Sequence, residues 1–386
     1  MSLFADMVYE GARSIIGPYL ATLGASAALV GIVAGAGEFI GYGLRVLTGY
    51  LVQHSRHYWA WTISGYALTV LSVPLIGSTH VLAPALLLYG AERLGKAVRS
   101  PAKDTLLSHA SAQTGRGRAF GVHQAMDQLG AVAGPLLLAA VLSWRSGDYR
   151  LAFGVLLVPG VVVLLLLGWL RWRVPDPAAQ YEPSDPTAPS TSDGRRGRLP
   201  PLLWRYVTAV AVLSCGVASF PLLAFHAQTT GLVSDAQIPL LFALAMFVDG
   251  LSGLVTGRMY DRRGPRVLLA VPAAAAAAAI AFSNTAYLVW IGVAVWGVVN
   301  GVLDSTVKAV VTELVDTRAR APAFGWLAFV RGLGLLLGGA ALGIAYDHSS
   351  ILTIGIILAA NMVAFIALWS VLNRLGHGQA VHSTHT

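Results

Sequence analysis

The sequence is short of charge. Asp, Glu, Lys and Arg make up only 11% of its 386 residues, whereas a water-soluble domain carries roughly 25%. An exterior so poor in charge faces lipid, not water. Cysteine is nearly missing as well: Cys215 stands alone, which excludes an internal disulfide and any cysteine-based metal site. There is no Gly-rich loop ending in Gly-Lys-Ser/Thr, so ATP does not drive the protein directly. HExxH, GxSxG and paired histidines within one helix are absent too. Without such constellations the chain reads as a non-enzyme with no cofactor and no metal.

What fills the sequence instead is apolar residue, 56% of it, with a mean hydropathy of +0.66. These residues come in stretches of about 20, the length at which a helix crosses roughly 30 Å of hydrocarbon, and not in the alternating strand-length segments of an outer-membrane barrel. Lipid offers no hydrogen bonds, so each stretch satisfies its own backbone as a helix. Spans are expected at about 3–23, 26–52, 59–78, 81–99, 119–143 and 151–171, then at about 204–230, 236–258, 266–284, 286–308, 321–345 and 350–373. The first carries Asp6, Glu10 and Arg13, so it reads as a retained helix, not a cleaved signal peptide. The reading is an all-α integral membrane protein of twelve transmembrane helices in two six-helix, pseudo-symmetric bundles. Residues 1–173 form the first bundle and 204–374 the second. Residues 174–203, rich in Pro, Ser, Asp and Gly, form a disordered cytoplasmic linker, and 375–386 a cytoplasmic tail.

The Lys and Arg residues of the loops and of the span ends that adjoin them set the topology. With the N-terminus inside, the inner loops hold Arg56, Lys96, Arg99, Lys103, Arg116, Arg118, the Arg171–Arg205 group, Arg258, Arg262, Arg263, Arg266, Lys308, Arg318, Arg320 and Arg374; the outer loops hold only Arg145 and Arg150. Both termini are therefore expected in the cytoplasm, and the +8 net charge is a topology signal, with no nucleic-acid partner implied. The halves also repeat. Ala119-Phe120-Gly121, Gly130 and Gly134 recur as Ala323-Phe324-Gly325, Gly334 and Gly338, and Gly49 recurs as Gly257. Two same-orientation repeats imply parallel bundles about an axis along the membrane normal.

The third, sixth, ninth and twelfth spans have no charge in their cores and are expected at the periphery. The other eight, with Ser214, Ser219, His226 and Gln228 on the seventh, are expected to surround a central cavity, because an intramembrane charge faces protein or water. Glu10 and Arg13 share one face of the first span. Glu38, Asp127 and Asp249 lie within the second, fifth and eighth spans, Asp304 lies within the tenth with Lys308 one turn on, and Arg331 takes in the eleventh the place of Asp127 in the fifth. These opposite signs at equivalent positions suggest salt bridges across the bundles. Static ion pairs are the competing explanation, chiefly for Asp127 and Asp304.

Residues 257–266 read Gly257-Arg-Met-Tyr-Asp261-Arg262-Arg263-Gly264-Pro-Arg266. Over essentially its whole length the chain resembles the major facilitator superfamily, and this segment is similar to that family's Gly-x-x-x-Asp-Arg-x-Gly-x-Arg loop. Gly257 permits a close helix contact, Asp261 accepts from helix-end amides or a basic partner, and Gly264 turns the chain. In the first half the loop is Gly49-Tyr-Leu-Val-Gln53-His54-Ser55-Arg56, with Gln in the acid's place and Ser in that of the second glycine. Arg93 resembles the family's buried arginine. Gly121, Gly130, Gly134 and Pro135 resemble the glycine–proline pattern associated with antiporters, although its terminal Gly-Gly is replaced by Leu138-Ala139. Plain close packing is the other explanation of these glycines.

The resemblance implies alternating access. The expectation is a monomeric secondary transporter in the inner (plasma) membrane, exporting a small amphipathic or hydrophobic solute in exchange for protons. The alternatives are an uptake symporter or facilitator on the same fold and, from another class, a non-transporting membrane sensor.

Overall fold

The computed structural model describes residues 1–110, 116–175, 199–316 and 319–383. Most of the expected linker, residues 176–198, lies outside the described residues. Among the described residues there is helix and no strand.

The helices are α1 (Ser2–Thr22), α2 (Ala27–Ser55), α3 (Tyr58–Ser78), α4 (Leu82–Ala110), α5 (Arg116–Trp144), α6 (Tyr149–Val155), α7 (Leu157–Arg173), α8 (Pro201–Cys215), α9 (Phe220–Thr229), α10 (Gln237–Arg263), α11 (Ala270–Ala278), α12 (Ala286–Leu314), α13 (Arg320–His348) and α14 (Ser350–Ser383). Short 3₁₀ turns, Gly264–Leu269 and Ala279–Phe282, flank α11. Nine stretches among the described residues are long and apolar enough to cross a membrane; one of them, Gln237–Phe282, covers two of the expected spans. The expected spans outside that set, α1 and α4, are the ones with the most charge.

Two spans read as single helices are interrupted. The expected sixth divides into α6 and α7 at Leu156, because Pro159 has no N–H to give to Val155. The expected seventh divides into α8 and α9 across Gly216–Ser219, ahead of Pro221. By contrast α4 runs through Pro101 to Ala110, about three turns beyond the expected end.

The contacts divide the chain into two compact units. The first comprises Met1–Gly24, Ile40–Arg196 and Asp235–Ala243; the second comprises Ala25–Phe39, Gly197–Ser234 and Leu244–Thr386. In the first unit α3 packs along α4 and α1 along α5. Gly65 and Gly95 meet backbone to backbone: a Cβ on either would come within 2.7 Å of the other's carbonyl oxygen. On α5, a Cβ at Gly130 would lie 2.2 Å from Leu3 O and one at Gly134 2.3 Å from Met7 O. The second unit builds the same joint from α13 and α8. There a Cβ at Gly334 or Gly338 would lie 2.5 Å from Ala211 O or Cys215 O. The internal repeat is thus a repeated helix–helix joint. The outward faces of both units are apolar, as at Leu87, Leu165 and Ile351, each more than two-thirds exposed. That suits hydrocarbon and not water.

Candidate functional site

Ionisable side chains gather inside the first unit, where α1, α4 and α5 meet. On α4 the residues Arg93, Lys96, Arg99 and Lys103 recur at three- and four-residue steps and share one face. Arg93 is only 1% exposed, as the resemblance implied. Its guanidinium stacks between the rings of Tyr9 (4.6 Å) and Tyr89 (4.9 Å), and Nη1 donates to Tyr9 Oη at 2.6 Å. Its Nε lies 2.9 Å from Glu92 Oε2. Lys96 Nζ also donates to Tyr9 Oη, and Arg99 covers the Tyr66 ring at 4.3 Å. Burying these cations is tolerable because aromatic faces and carboxylates replace water around them. Glu92, equally buried, was missed by sequence reasoning, although an acid adjacent to a buried arginine was a visible signal.

Glu10 and Arg13 do pair: Arg13 Nη1 donates to Glu10 Oε2 at 3.5 Å, and both side chains are largely shielded. Arg13 also lies 5.8 Å from the Phe242 ring. On α5, Asp127 Oδ1 sits 3.4 Å from His123 Nδ1. That histidine also contacts Ser2 Oγ and Lys103 Nζ, a grouping that spacing along one helix could not reveal.

In the second unit Arg331 on α13 donates from Nη1 to Asp304 Oδ1 on α12 at 2.8 Å. The structure thus supplies Arg331 with a partner inside its own unit, and Asp127 with one on its own helix, where the sequence suggested bridges across the bundles. Glu38 is partly buried in α2, and Asp249 lies against Gly301 of α12, whose Cβ would come within 2.9 Å of Asp249 Oδ1. His226, expected to line a cavity, is 1% exposed. Its Nδ1 accepts from Tyr346 Oη at 2.7 Å and its Nε2 donates to Ser283 O at 3.0 Å, so it ties α9 to its neighbours. Among the described residues no group of three or more His, Cys, Asp and Glu could hold a metal ion.

The break between α8 and α9 leaves carbonyls of the connecting residues without helical donors, and side chains supply them. Asn361 Nδ2 donates to Gly216 O at 2.9 Å and Trp296 Nε1 donates to Ala218 O at 2.7 Å. The start of α2 is capped from α13: Ala27 N and Ala28 N donate to the two carboxylate oxygens of Asp347, at 2.9 and 3.0 Å. A second acid, Asp235, accepts from Ser146 and Tyr149 in the first unit, each at 3.2 Å.

The loop motif is met in part. Gly264 has φ +70° and turns the chain as expected. The close contact expected of Gly257 is not made, since nothing lies within 4 Å of where its Cβ would be; Gly49 makes only an ordinary contact with Pro101. Asp261 and Arg262 are exposed at the end of α10. Pro135 is buried in α5, which continues through it.

Repeated halves, apolar outside and ionisable within, are how membrane transporters are built. The family profile of the Major Facilitator Superfamily matches residues 1–339 and 218–382. An uncharacterized protein of Mycobacterium tuberculosis is 43% identical over 96% of this chain and 91% of its own. An uncharacterized MFS-type transporter of Methanocaldococcus jannaschii is 22% identical over 86% of this chain and 83% of its own. Among solved structures, a bacterial homolog of the human lysosomal transporter Spinster superposes with a TM-score of 0.70 at 18% identity, covering 96% of each chain. A peptide transporter superposes at 0.74 and 14% identity, covering 97% of this chain and 93% of its own. This chain belongs to the Major Facilitator Superfamily, and it is a multi-pass membrane protein with the fold of a secondary transporter.

Proposed function

We propose that the protein is a proton-coupled exporter of an amphipathic or hydrophobic small molecule, working by alternating access between six-helix halves at 1–173 and 204–374. It lies in the inner membrane as twelve spans, with both termini cytoplasmic, and works as a monomer. Glu10 or Glu38 carries the coupling proton, with Asp249 the next candidate. The observation that carries this reading is the Glu10–Arg13 pair. Its side chains are mostly shielded, yet its 3.5 Å separation is long for a charge-assisted hydrogen bond. Such a pair can be opened by a proton or by a competing solute, so one event can be tied to the other.

The glycines that carry the resemblance to antiporters, Gly130 and Gly134, are accounted for by close packing against α1. That packing serves transport in either direction, so an uptake symporter on the same fold is the second reading. Comparing everted with right-side-out vesicles separates the two. Coupling is tested in liposomes with Glu10→Gln, Glu38→Gln and Asp249→Asn. The variant at the coupling residue loses pH-gradient-driven movement while solute exchange continues, because the amide mimics the protonated acid. Full pH-gradient dependence in all three variants sinks the assignment.

A further inference from the structure

One end of the first unit holds a histidine that the reading above does not use. His123 on α5 has both ring nitrogens engaged: Nδ1 lies 2.7 Å from Ser2 Oγ and 3.4 Å from Asp127 Oδ1, while Nε2 lies 2.8 Å from Lys103 Nζ on α4. An ammonium has three donors and no lone pair, so Nε2 accepts from it and bears no proton. The imidazole is therefore neutral and protonated on Nδ1, the atom facing the hydroxyl and the carboxylate. A proton arriving at Nε2 meets the ammonium head-on, and the two cannot occupy the same lone pair. Lys103 has a second seat ready: its Nζ is already 3.7 Å from Asp104 Oδ1, a carboxylate more than half exposed.

The groups facing this site come from three helices. From α1 there are the terminal amine, Ser2 and Asp6; from α4, Arg99, Lys103 and Asp104; from α5, Asp127. When Nε2 is protonated, the nearest acid to the imidazolium is Asp127, and the ammonium is driven toward Asp104. The link that α4 makes to α5 through Lys103 is then exchanged for a tighter one within α5.

We propose that His123 and Lys103 form a proton-for-lysine exchange site, in which the Lys103 ammonium and a proton compete for Nε2 of His123 and the winner decides whether α4 is tied to α5. On the proposed topology this site is at the cytoplasmic ends of the helices. There it would load or release the coupling proton, a role that rests on the proton-coupled reading. The exchange itself does not.

The exchange is measured by ¹⁵N-histidine solid-state NMR of the full chain in liposomes, with His123→Gln assigning the signal. The wild-type His123 signal near neutral pH should be that of a neutral ring protonated on Nδ1. Lys103→Met, by removing the competitor, should raise the pH at which the ring becomes doubly protonated by about one unit, tenfold in proton concentration. Lys103→Arg should stay close to wild type. A doubly protonated ring in the wild type near neutral pH, or an unmoved midpoint in Lys103→Met, overturns the exchange. The coupling role is read separately, from gradient-driven transport against pH on the side bearing residue 2. Its midpoint should move with Lys103→Met in the same direction as the NMR midpoint. If the NMR midpoint moves and the transport midpoint does not, the coupling role fails while the exchange stands. A wild type with no pH-driven transport sinks the proton-coupled reading, and the NMR arm still decides the exchange.

Discussion

Arg56 adopts the same left-handed backbone conformation as Gly264, with φ of 53° against 70°. The two occupy equivalent places in the loops that follow α2 and α10, counted from Gly49 and Gly257. Sequence reading put Ser55 in the place of the second glycine; the backbone gives that place to Arg56. Both halves therefore make the same turn, and the first makes it with a side chain that the conformation disfavours by about 1–2 kcal/mol. Arg56→Gly should relieve part of that cost and raise the unfolding temperature of the purified protein. Gly264→Arg should lower it. A fall in stability with Arg56→Gly would show that contacts of the arginine outweigh the strain.

The joint between α1 and α5 makes a sharper demand. Gly130→Ala sets a methyl against the Leu3 carbonyl, where no flexible side chain can give way, and should cost about 1–3 kcal/mol. Gly257→Ala, with open space around it, should be close to neutral. Thermal unfolding in detergent of the two variants side by side checks the contrast. Equal effects would mean that the α1–α5 joint is looser than described.

Asn361 is 2% exposed and holds the carbonyl at the α8–α9 break. Asn361→Leu removes that donor and should cost about 1–3 kcal/mol, the penalty of an unsatisfied buried polar group. Trp296→Phe removes the donor to Ala218 O while keeping most of the ring's packing, so its cost should be smaller. An unchanged melting temperature in Asn361→Leu would mean that water takes over at Gly216 O.

Asp347 caps α2 through two backbone N–H groups. Asp347→Ala should destabilise the protein by about 1 kcal/mol, and Asp347→Asn, which keeps one acceptor, by less. The ordering, read from thermal unfolding, checks the cap; identical values for the two variants would speak against it.

Only the second loop keeps its acid, so Asp261→Ala should impair transport more than Gln53→Ala, with the amount of folded protein maintained. Asp261 is exposed, and stability should therefore change little. Negligible effects of both variants on initial transport rates would remove the proposal that this loop controls one conformational state.

Part of this architecture was legible in the chain because it depends on quantities additive along it. Stretch length and the scarcity of charge gave the helices and the membrane. The glycine spacing gave the repeat, and the structure shows why it is kept: Gly130 and Gly334 each let a neighbouring backbone approach. Glu10 and Arg13 were paired in advance because an i, i+3 spacing fixes proximity by itself. Interruptions were harder. Pro159 and Pro221 follow breaks, whereas α4 runs straight through Pro101, whose freed carbonyl at Ala97 accepts from Thr48 Oγ1 at 2.9 Å. That donor comes from another helix, as do Asn361 and Trp296 at the α8–α9 break, and spacing along one helix does not show it. Partners distant in sequence were out of reach: Asp347 on the start of α2, Arg331 on Asp304, and Lys103 and Ser2 on His123. A charge count shows that ions are present in the membrane. Which of them touch follows from how helices pack, and a single sequence does not encode that as a local pattern.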